Sequence, residues 1–301
     1  MGWERLLGVV VALLLAPLLL GVITRVKARF AGRRGAPLVQ PYFELRKLMA
    51  KRAVYSRTTS WHFQVGPWIS LSAIILALLL VPRLGQIAPT AFPGDPFLLV
   101  YLLGVGRLFT VLAALDTGSA FEGMGASREL HFAVFTEISF FFALAALARS
   151  TSAWSLSGVS TRHALLQEGD GVLTLVLVGV TLFVVLLAEN ARIPVDDPNT
   201  HLELTMVHEV MVLDHSGPEL GAIHYGMALK LWLFASLLVS LVVPIASGSV
   251  WLDGALWLLA VFGVGAAVGV VESVMARLRL LQVARLIMGA GLLSVTALLL
   301  S

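Results

Sequence analysis

The sequence predicts an all-α integral membrane protein: one polytopic domain over residues 1–301, with about eight transmembrane helices and an amphipathic cytoplasmic helix after the first span. Three observations carry that prediction. Of the residues, 58% are hydrophobic and only 13% charged, and the mean hydropathy is +0.91, a balance found in chains whose solvent is lipid. Apolar runs long enough to cross roughly 30 Å of hydrocarbon recur along almost the whole length. Positive charge is concentrated in one loop beside a span.

The first run, Leu6 to Ile23, is too long for a signal-peptide core, lacks an Ala-x-Ala cleavage signal and is followed by positive charge, so it is expected to be a retained span. Between Arg25 and Arg57 stand Arg25, Lys27, Arg29, Arg33, Arg34, Arg46, Lys47, Lys51, Arg52 and Arg57 against the single acid Glu44. By the positive-inside rule this loop is cytoplasmic and the N-terminus outside. Within it, Pro37 to Arg52 has helical periodicity, with Leu38, Tyr42, Leu45 and Met49 on one stripe. Such a helix either lies on anionic lipid or docks a cytoplasmic partner.

The later spans are expected at Gly66–Leu84, Phe97–Leu115, Leu130–Ala148, Gly171–Ala188, Met227–Ile245, Leu252–Val271 and Ala284–Leu300. Both termini then lie outside, with Arg277, Arg279 and Arg285 on the cytoplasmic side. Cytoplasmic loops fall at about 25–65, 116–129, 189–226 and 272–283. In the second of these, Gly123 and Gly125 are read as a turn that brings Asp116, Glu122 and Glu129 towards the third. No internal repeat is visible, which disfavours inverted-repeat transporters.

The third loop organises the chain. From Glu189 to Gly217 it reads E-N-A-R-I-P-V-D-D-P-N-T-H-L-E-L-T-M-V-H-E-V-M-V-L-D-H-S-G, holding Glu189, Asp196, Asp197, Glu203, Glu209 and Asp214, six of the eighteen carboxylates, and three of the seven histidines. Pro194 and Pro198 prevent a regular helix there. Thr200 with Glu203 forms a capping-box pattern that predicts a helix of about four turns, stopped by Ser216-Gly217-Pro218. Glu203 therefore has a structural reading as a cap beside a functional one. Glu209 sits between Met206 and Leu213 on the predicted apolar stripe, where a carboxylate is either paired or a proton carrier. His201 and His208 lie about 10.5 Å apart along such a helix, too far to share a metal, and Val212 stands where a H-E-x-x-H site needs its second histidine, so no metal site is expected.

Arg107, Asp116, Glu137 and Glu272 lie within or at the ends of spans, with Glu189 at the end of the fifth, and each costs several kcal/mol there unless paired or hydrated. Two readings stand. In one, Arg107 pairs with Asp116 or Glu137 and the role is structural. In the other, Glu137, Glu189, Glu209 and Glu272 form a hydrated proton relay. The absence of cysteine excludes disulfides, thiolate-bound zinc and iron–sulfur clusters within this chain. The +3 charge and pI near 9.5 are explained by topology, so no nucleic-acid partner is expected. Neither G-x-x-x-x-G-K-S/T nor G-x-G-x-x-G occurs, so no phosphate-binding loop is present.

G-A-P-L-V-Q-P-Y-F-E-L-R-K-L at Gly35–Leu48, E-N-A-R-I-P-V-D-D-P-N-T-H-L-E-L-T-M-V-H-E at Glu189–Glu209 and V-E-S-V-M-A-R-L-R-L-L at Val271–Leu281 resemble the H-type membrane-anchor family of respiratory complex I. The likeness is strongest to its branch in the group 4 membrane-bound nickel–iron hydrogenases, the formate hydrogenlyase type. That resemblance implies a membrane-anchor and coupling subunit without catalytic residues or a cofactor of its own. Its cytoplasmic loops would seat a hydrogenase-like large subunit and a small iron–sulfur subunit, which hold the nickel–iron centre and the iron–sulfur clusters. Antiporter-like membrane subunits would lie alongside it in the cell membrane. Carried over, Gln40, Pro41, Glu44 and Lys47 on the first helix, and Arg192, Pro194, Asp196 and Pro198 in the loop, match the redox-arm interface, and Asp197, His201 and His208 are interface candidates by their place in the same loop. Asp116, Glu122, Glu137, Glu189, Glu203, Glu209, Asp214 and Glu272 are the proton-coupling candidates.

The quinone-reducing branch is generally more acidic at Thr200–Glu209 and continues into an E-Y-S-G-like motif, whereas this chain has His201, His208 and D-H-S-G at Asp214–Gly217. That departure favours the hydrogenase branch over a chain lining a quinone site. A stand-alone proton-coupled transporter is the third reading, and it gives no account of a basic loop beside an acidic one on the same face.

Overall fold

A computed structural model describes residues 3–83, 86–161, 170–196, 207–243 and 249–301, and among these eight helices are long and apolar enough to cross a membrane. They are α1 (Trp3–Phe30), α3 (Trp61–Leu78), α4 (Asp95–Asp116), α5 (Ala120–Thr151), α7 (Asp170–Glu189), α8 (Gly217–Val242), α9 (Val250–Val274) and α10 (Leu280–Leu300). Two shorter helices, α2 (Gln40–Met49) and α6 (Leu156–Thr161), lie at opposite ends of the bundle. Consecutive spans alternate in direction. Segments 31–60, 117–119, 190–196, 207–216 and 275–279 therefore gather at one end, called here the basic end.

Helix α8 is the central mast. It packs on α1, α2, α3, α7 and α9, and 72% of its most apolar window is buried, against 28% for the peripheral α9 and α10. Its Trp232 meets Trp257 and Phe262 edge-on at 6.2 and 5.7 Å. Polar groups inside this apolar packing are paired, as lipid demands: Trp257 Nε1 donates to Ser240 Oγ at 3.0 Å, which donates to the Pro82 carbonyl at 2.8 Å. Pro17 inside α1 has no N–H to give the Leu13 carbonyl, and the Tyr225 hydroxyl of α8 supplies the missing donor at 2.7 Å.

Boundaries differ from the predicted spans in ways that matter at the basic end. The amphipathic segment is helical over Gln40–Met49, with Pro41 in its first turn and no buried residue. Helix α3 begins at Trp61 rather than Gly66, because Ser60 caps it while giving its own N–H and hydroxyl to the Asp116 carboxylate at 2.6 and 2.8 Å. Gly123 and Gly125 do not form a turn; both lie inside α5, which begins at Ala120 and shortens the predicted 116–129 loop to a few residues. Gly125 is needed for close approach instead. A Cβ there would overlap the Val210 side chain and stand 2.9 Å from the Val207 carbonyl oxygen. In the loop expected between Arg149 and Asp170, Leu156–Thr161 forms α6, whose Leu156 N–H donates to the buried Asp95 carboxylate at 2.8 Å.

The predicted four-turn helix from Thr200 is corrected as well. Its described part holds only one 3₁₀ turn, Glu209–Val212. Gly217-Pro218 opens α8 rather than closing the preceding helix, with proline in the first turn where its missing N–H costs nothing. Gly217 has φ +57°, and a Cβ there would lie 2.8 Å from the Arg52 carbonyl oxygen. Gly217→Ala is accordingly expected to destabilise the fold by about 2 kcal/mol, read as a lower melting midpoint of the purified protein. An unchanged midpoint would show that the Arg52–Ala53 strand can move aside.

Candidate functional site

Helix α7 stops short of its neighbours. Its last residue, Glu189, meets Arg107, which lies nine residues before the end of α4, about 13 Å along the axis. Segment 190–196 then turns over this sunken end through Ala191 in the left-handed region at φ +48°, with the Arg192 N–H reaching back to the Leu187 carbonyl at 2.9 Å. The Ile193–Pro194 peptide is cis. Beside the sunken end, a cavity with four charged or imidazole side chains in a largely apolar lining lies between α3, α4, α5, α8 and residues 207–211.

Arg107 is the hub. Its Nη2 lies 2.5 Å from Glu189 Oε1, its Nη1 contacts Glu137 Oε1, and its Nε stands 3.7 Å from Glu129 Oε1. The other Glu189 oxygen lies 2.8 Å from Lys230 Nζ on α8. A buried guanidinium with several donors suits this work, because its planar fork serves several carboxylates at once. Arg107, Glu129, His208 and Lys230 face a cavity of about 60 Å³, room for more than one water molecule.

Three further groups surround this hub. Glu272, with a fully buried side chain, pairs with Lys27 at 2.8 Å and Arg192 at 3.4 Å. Asp196 is bound by Arg277 at 2.6 Å, and its second oxygen accepts from the Val207 and His208 N–H groups at 3.1 and 3.2 Å, tying the two sides of the loop together. Towards α3, His215 stacks on Phe63 at 3.9 Å, Glu219 accepts from the Tyr55 hydroxyl at 2.5 Å, and buried Glu122 accepts from the Asp214 N–H at 3.3 Å. The hydrogen bond to Glu219 holds the Tyr55 hydroxyl proton and raises its pKa.

The two described histidines of this loop are neutral at pH 7. Burial pushes His215 down to about 4, and burial, reinforced by the Lys230 charge, pushes His208 to about 4. The unfolded value is near 6.5, so between these values the unfolded chain binds the extra proton. Stability is present above about pH 6.5 and falls as the pH drops towards 4, by about 3 kcal/mol for buried His215, with His208 acting in the same direction. The melting midpoint between pH 7.5 and 5 should fall less steeply for His215→Phe, which retains the stack on Phe63. An identical slope in the variant would assign the titration elsewhere.

Of the proton-coupling candidates, Glu137 and Glu189 meet at Arg107, Glu272 forms its own node, and Glu122 is buried beside Asp214. Of the two partners expected for Arg107, Asp116 or Glu137, the structure supplies Glu137. Asp116 instead accepts from Ser60, the cap of α3, and Glu209 opens the 3₁₀ turn, partly buried, while Leu213 of its supposed apolar stripe is exposed. Gln40, Pro41, Glu44 and Lys47 share α2, with Gln40 Nε2 donating to Glu44 at 3.1 Å. Arg192 turns inward to Glu272, and Pro194 and Asp196 are buried. Asp197, Pro198, His201 and Glu203 lie outside the described residues. Sequence reasoning missed Lys230, the pairing roles of Lys27 and Arg277, and the Tyr55–Glu219–His215 group. Lys230 could have been found, since a lysine three residues into the apolar run from Met227 has the same cost in lipid as Arg107.

Eight spans whose loops enclose a line of ion-paired carboxylates define a multi-pass membrane protein of the complex I-like class. Residues 4–301 match the family model described as NADH dehydrogenase, and the chain belongs to that family. It is similar to Hydrogenase-4 component C of Escherichia coli (strain K12), 32% identical over 237 residues that cover 78% of this chain and 73% of the relative. Formate hydrogenlyase subunit 4 of the same strain is 29% identical over 284 residues, covering 91% and 90%. The fold is shared with a chain in the structure of the membrane-bound sulfane sulfur reductase (MBS), an archaeal respiratory membrane complex, at a TM-score of 0.83 and 22% identity over 99% and 98% of the two chains. These relationships place the chain among the membrane subunits of respiratory-type complexes.

Proposed function

We propose that the chain is the membrane-anchor and proton-coupling subunit of a group 4 nickel–iron hydrogenase-type complex, linking a hydrophilic redox arm to ion-translocating membrane subunits. The observation that carries this reading is the Glu137–Arg107–Glu189–Lys230 chain, which starts beneath segment 190–196 and runs into the middle of the bundle beside a hydratable cavity. The basic end faces the cytoplasm and both termini face outside. A large hydrogenase-like subunit with the nickel–iron centre and a small subunit with iron–sulfur clusters sit on α2 and the 190–216 segment. Antiporter-like subunits receive the coupled charge.

Coupling follows from Coulomb's law. A unit charge appearing about 10 Å from a single buried carboxylate changes its energy by roughly 1.7 kcal/mol at an effective dielectric near 20, enough to change a proton's occupancy more than tenfold. Glu137, Glu189 and Glu272 are the groups proposed to respond, with Asp116, Glu122, Glu203, Glu209 and Asp214 as further candidates. The complex retrieved on a tag on this chain should contain nickel and evolve hydrogen from a reduced dye. Iron–sulfur partners without nickel, together with reduction of a quinone analogue, would move the chain to the quinone branch, and purification of the chain alone would overturn the subunit assignment.

A further inference from the structure

The cavity beside Arg107 holds one acid too many. Arg107 and Lys230 are matched by Glu137 and Glu189. A third carboxylate, Glu129, has no cation of its own, and the approach of Arg107 Nε at 3.7 Å is beyond hydrogen-bonding length. The cavity is also bordered by two unsatisfied nitrogens. Arg107 Nε and His208 Nε2 are shut off from solvent with no hydrogen-bond partner among the described residues, although buried polar groups are almost always paired. Among the described residues Glu129 is the only carboxylate and His208 the only imidazole in the lining of this cavity of about 60 Å³, to which Ser70 and Thr110 add hydroxyls.

Close packing brings these two groups together. The 2.9 Å that a Cβ at Gly125 would leave to the Val207 carbonyl oxygen shows α5 and segment 207–210 in backbone contact. Glu129 follows Gly125 by four residues on the same face of α5, about 6 Å along the axis, and His208 follows Val207. The charges of Lys230 and Glu189 act on both groups. Asp196, clamped by Arg277, and His224 of α8 complete the titratable surroundings of His208. Most of these neighbours have fixed tasks. Arg107 and Lys230 only donate, and Glu189 is held by two cations at 2.5 and 2.8 Å, whereas a neutral imidazole has one nitrogen to accept a proton and another to donate one. We propose that Glu129 and His208 are the proton-exchanging pair of this chain, joined through water in the cavity. A proton leaves the Glu129 carboxyl for the water and one of the water's protons passes to His208 Nε2, giving carboxylate and imidazolium; the reverse step restores both neutral groups. Because the Asp196 carboxylate accepts from the His208 N–H at 3.2 Å, movement of the loop moves the imidazole against Glu129. This deepens the coupling role proposed above, and its consequences for turnover rest on that reading.

Infrared spectra of the intact complex in detergent, exchanged between H2O and D2O, test the pair without turnover. The difference between parent and Glu129→Gln should contain the carbonyl stretch of one protonated carboxyl group, shifted by D2O. His208→Phe should move that stretch, because the carboxyl loses the acceptor it reaches through water, and Glu137→Gln should retain it. Glu129→Asp, which keeps a carboxyl where Glu129→Gln fails to assemble, should give a displaced stretch that His208→Phe still moves. In sealed membranes Glu129→Gln and His208→Phe should each lower turnover per assembled complex roughly tenfold or more, with the double variant no worse than the worse single one. No carboxyl stretch in the Glu129→Gln difference, a stretch indifferent to His208→Phe, or parental turnover in both assembled variants would each overturn the pair. The expected stretches in a complex that contains no nickel and evolves no hydrogen would sustain the pair and overturn the hydrogenase-type reading instead.

Discussion

Arg107→Met is expected to abolish accumulation of the folded chain in the membrane. The substitution keeps length and apolar bulk but leaves Glu137 and Glu189, with Glu129 nearby, around a site that has lost its central cation. Removing one partner of a buried ion pair costs about 3–5 kcal/mol, because the remaining charge stays desolvated. That is a large share of a stability of about 5–15 kcal/mol. Lysine is a poor substitute, since a single ammonium cannot span positions now served by three guanidinium nitrogens. Arg107→Lys should therefore give an intermediate yield. Adding Glu137→Gln to Arg107→Met should restore part of the loss by removing one uncompensated charge. Immunoblots of membranes and the melting midpoint in detergent measure both effects. Wild-type yield and midpoint in Arg107→Met would show that the hub is hydrated strongly enough to need no cation.

The spans were legible because their signal is local: an apolar run of sufficient length must cross or be buried. Arg107 and Glu137 could be paired on the same logic, since both must find a partner in lipid. Non-local geometry was the obstacle elsewhere. Gly217-Pro218 reads equally as the end of one helix and the start of the next, and the choice is fixed by the Arg52–Ala53 backbone passing against Gly217. Gly125 reads as a turn until Val207 and Val210 are known to press on it. Lys230 was obscured by the strength of the apolar pattern around it. The depth of Glu189, which decides what it can touch, depends on how far α7 stops short of α4 and α5, and no motif records that.

Glu189→Gln separates a coupling role from a structural one. The amide keeps the side chain's shape and can still accept from Arg107, so the complex should assemble, while Lys230 loses the carboxylate 2.8 Å away. If the complex is of the proposed hydrogenase type and the pair passes charge between the loop and the bundle, hydrogen turnover in sealed membranes should fall tenfold or more, equivalent to about 1.4 kcal/mol on the limiting step. What activity remains should no longer respond to a protonophore. Lys230→Met should show the mirror defect, and the double variant should be less impaired than the two single losses combined, because residues that act as a pair are non-additive. Glu272→Gln provides the comparison, since it leaves Lys27 and Arg192 facing a neutral group at a separate node. Loss of assembly in Glu189→Gln, with turnover per assembled complex unchanged, would reduce the whole line to an ion pair that holds α4, α7 and α8 together. Full assembly with lost protonophore response makes Glu189 the point at which the loop's electrostatics enter the membrane.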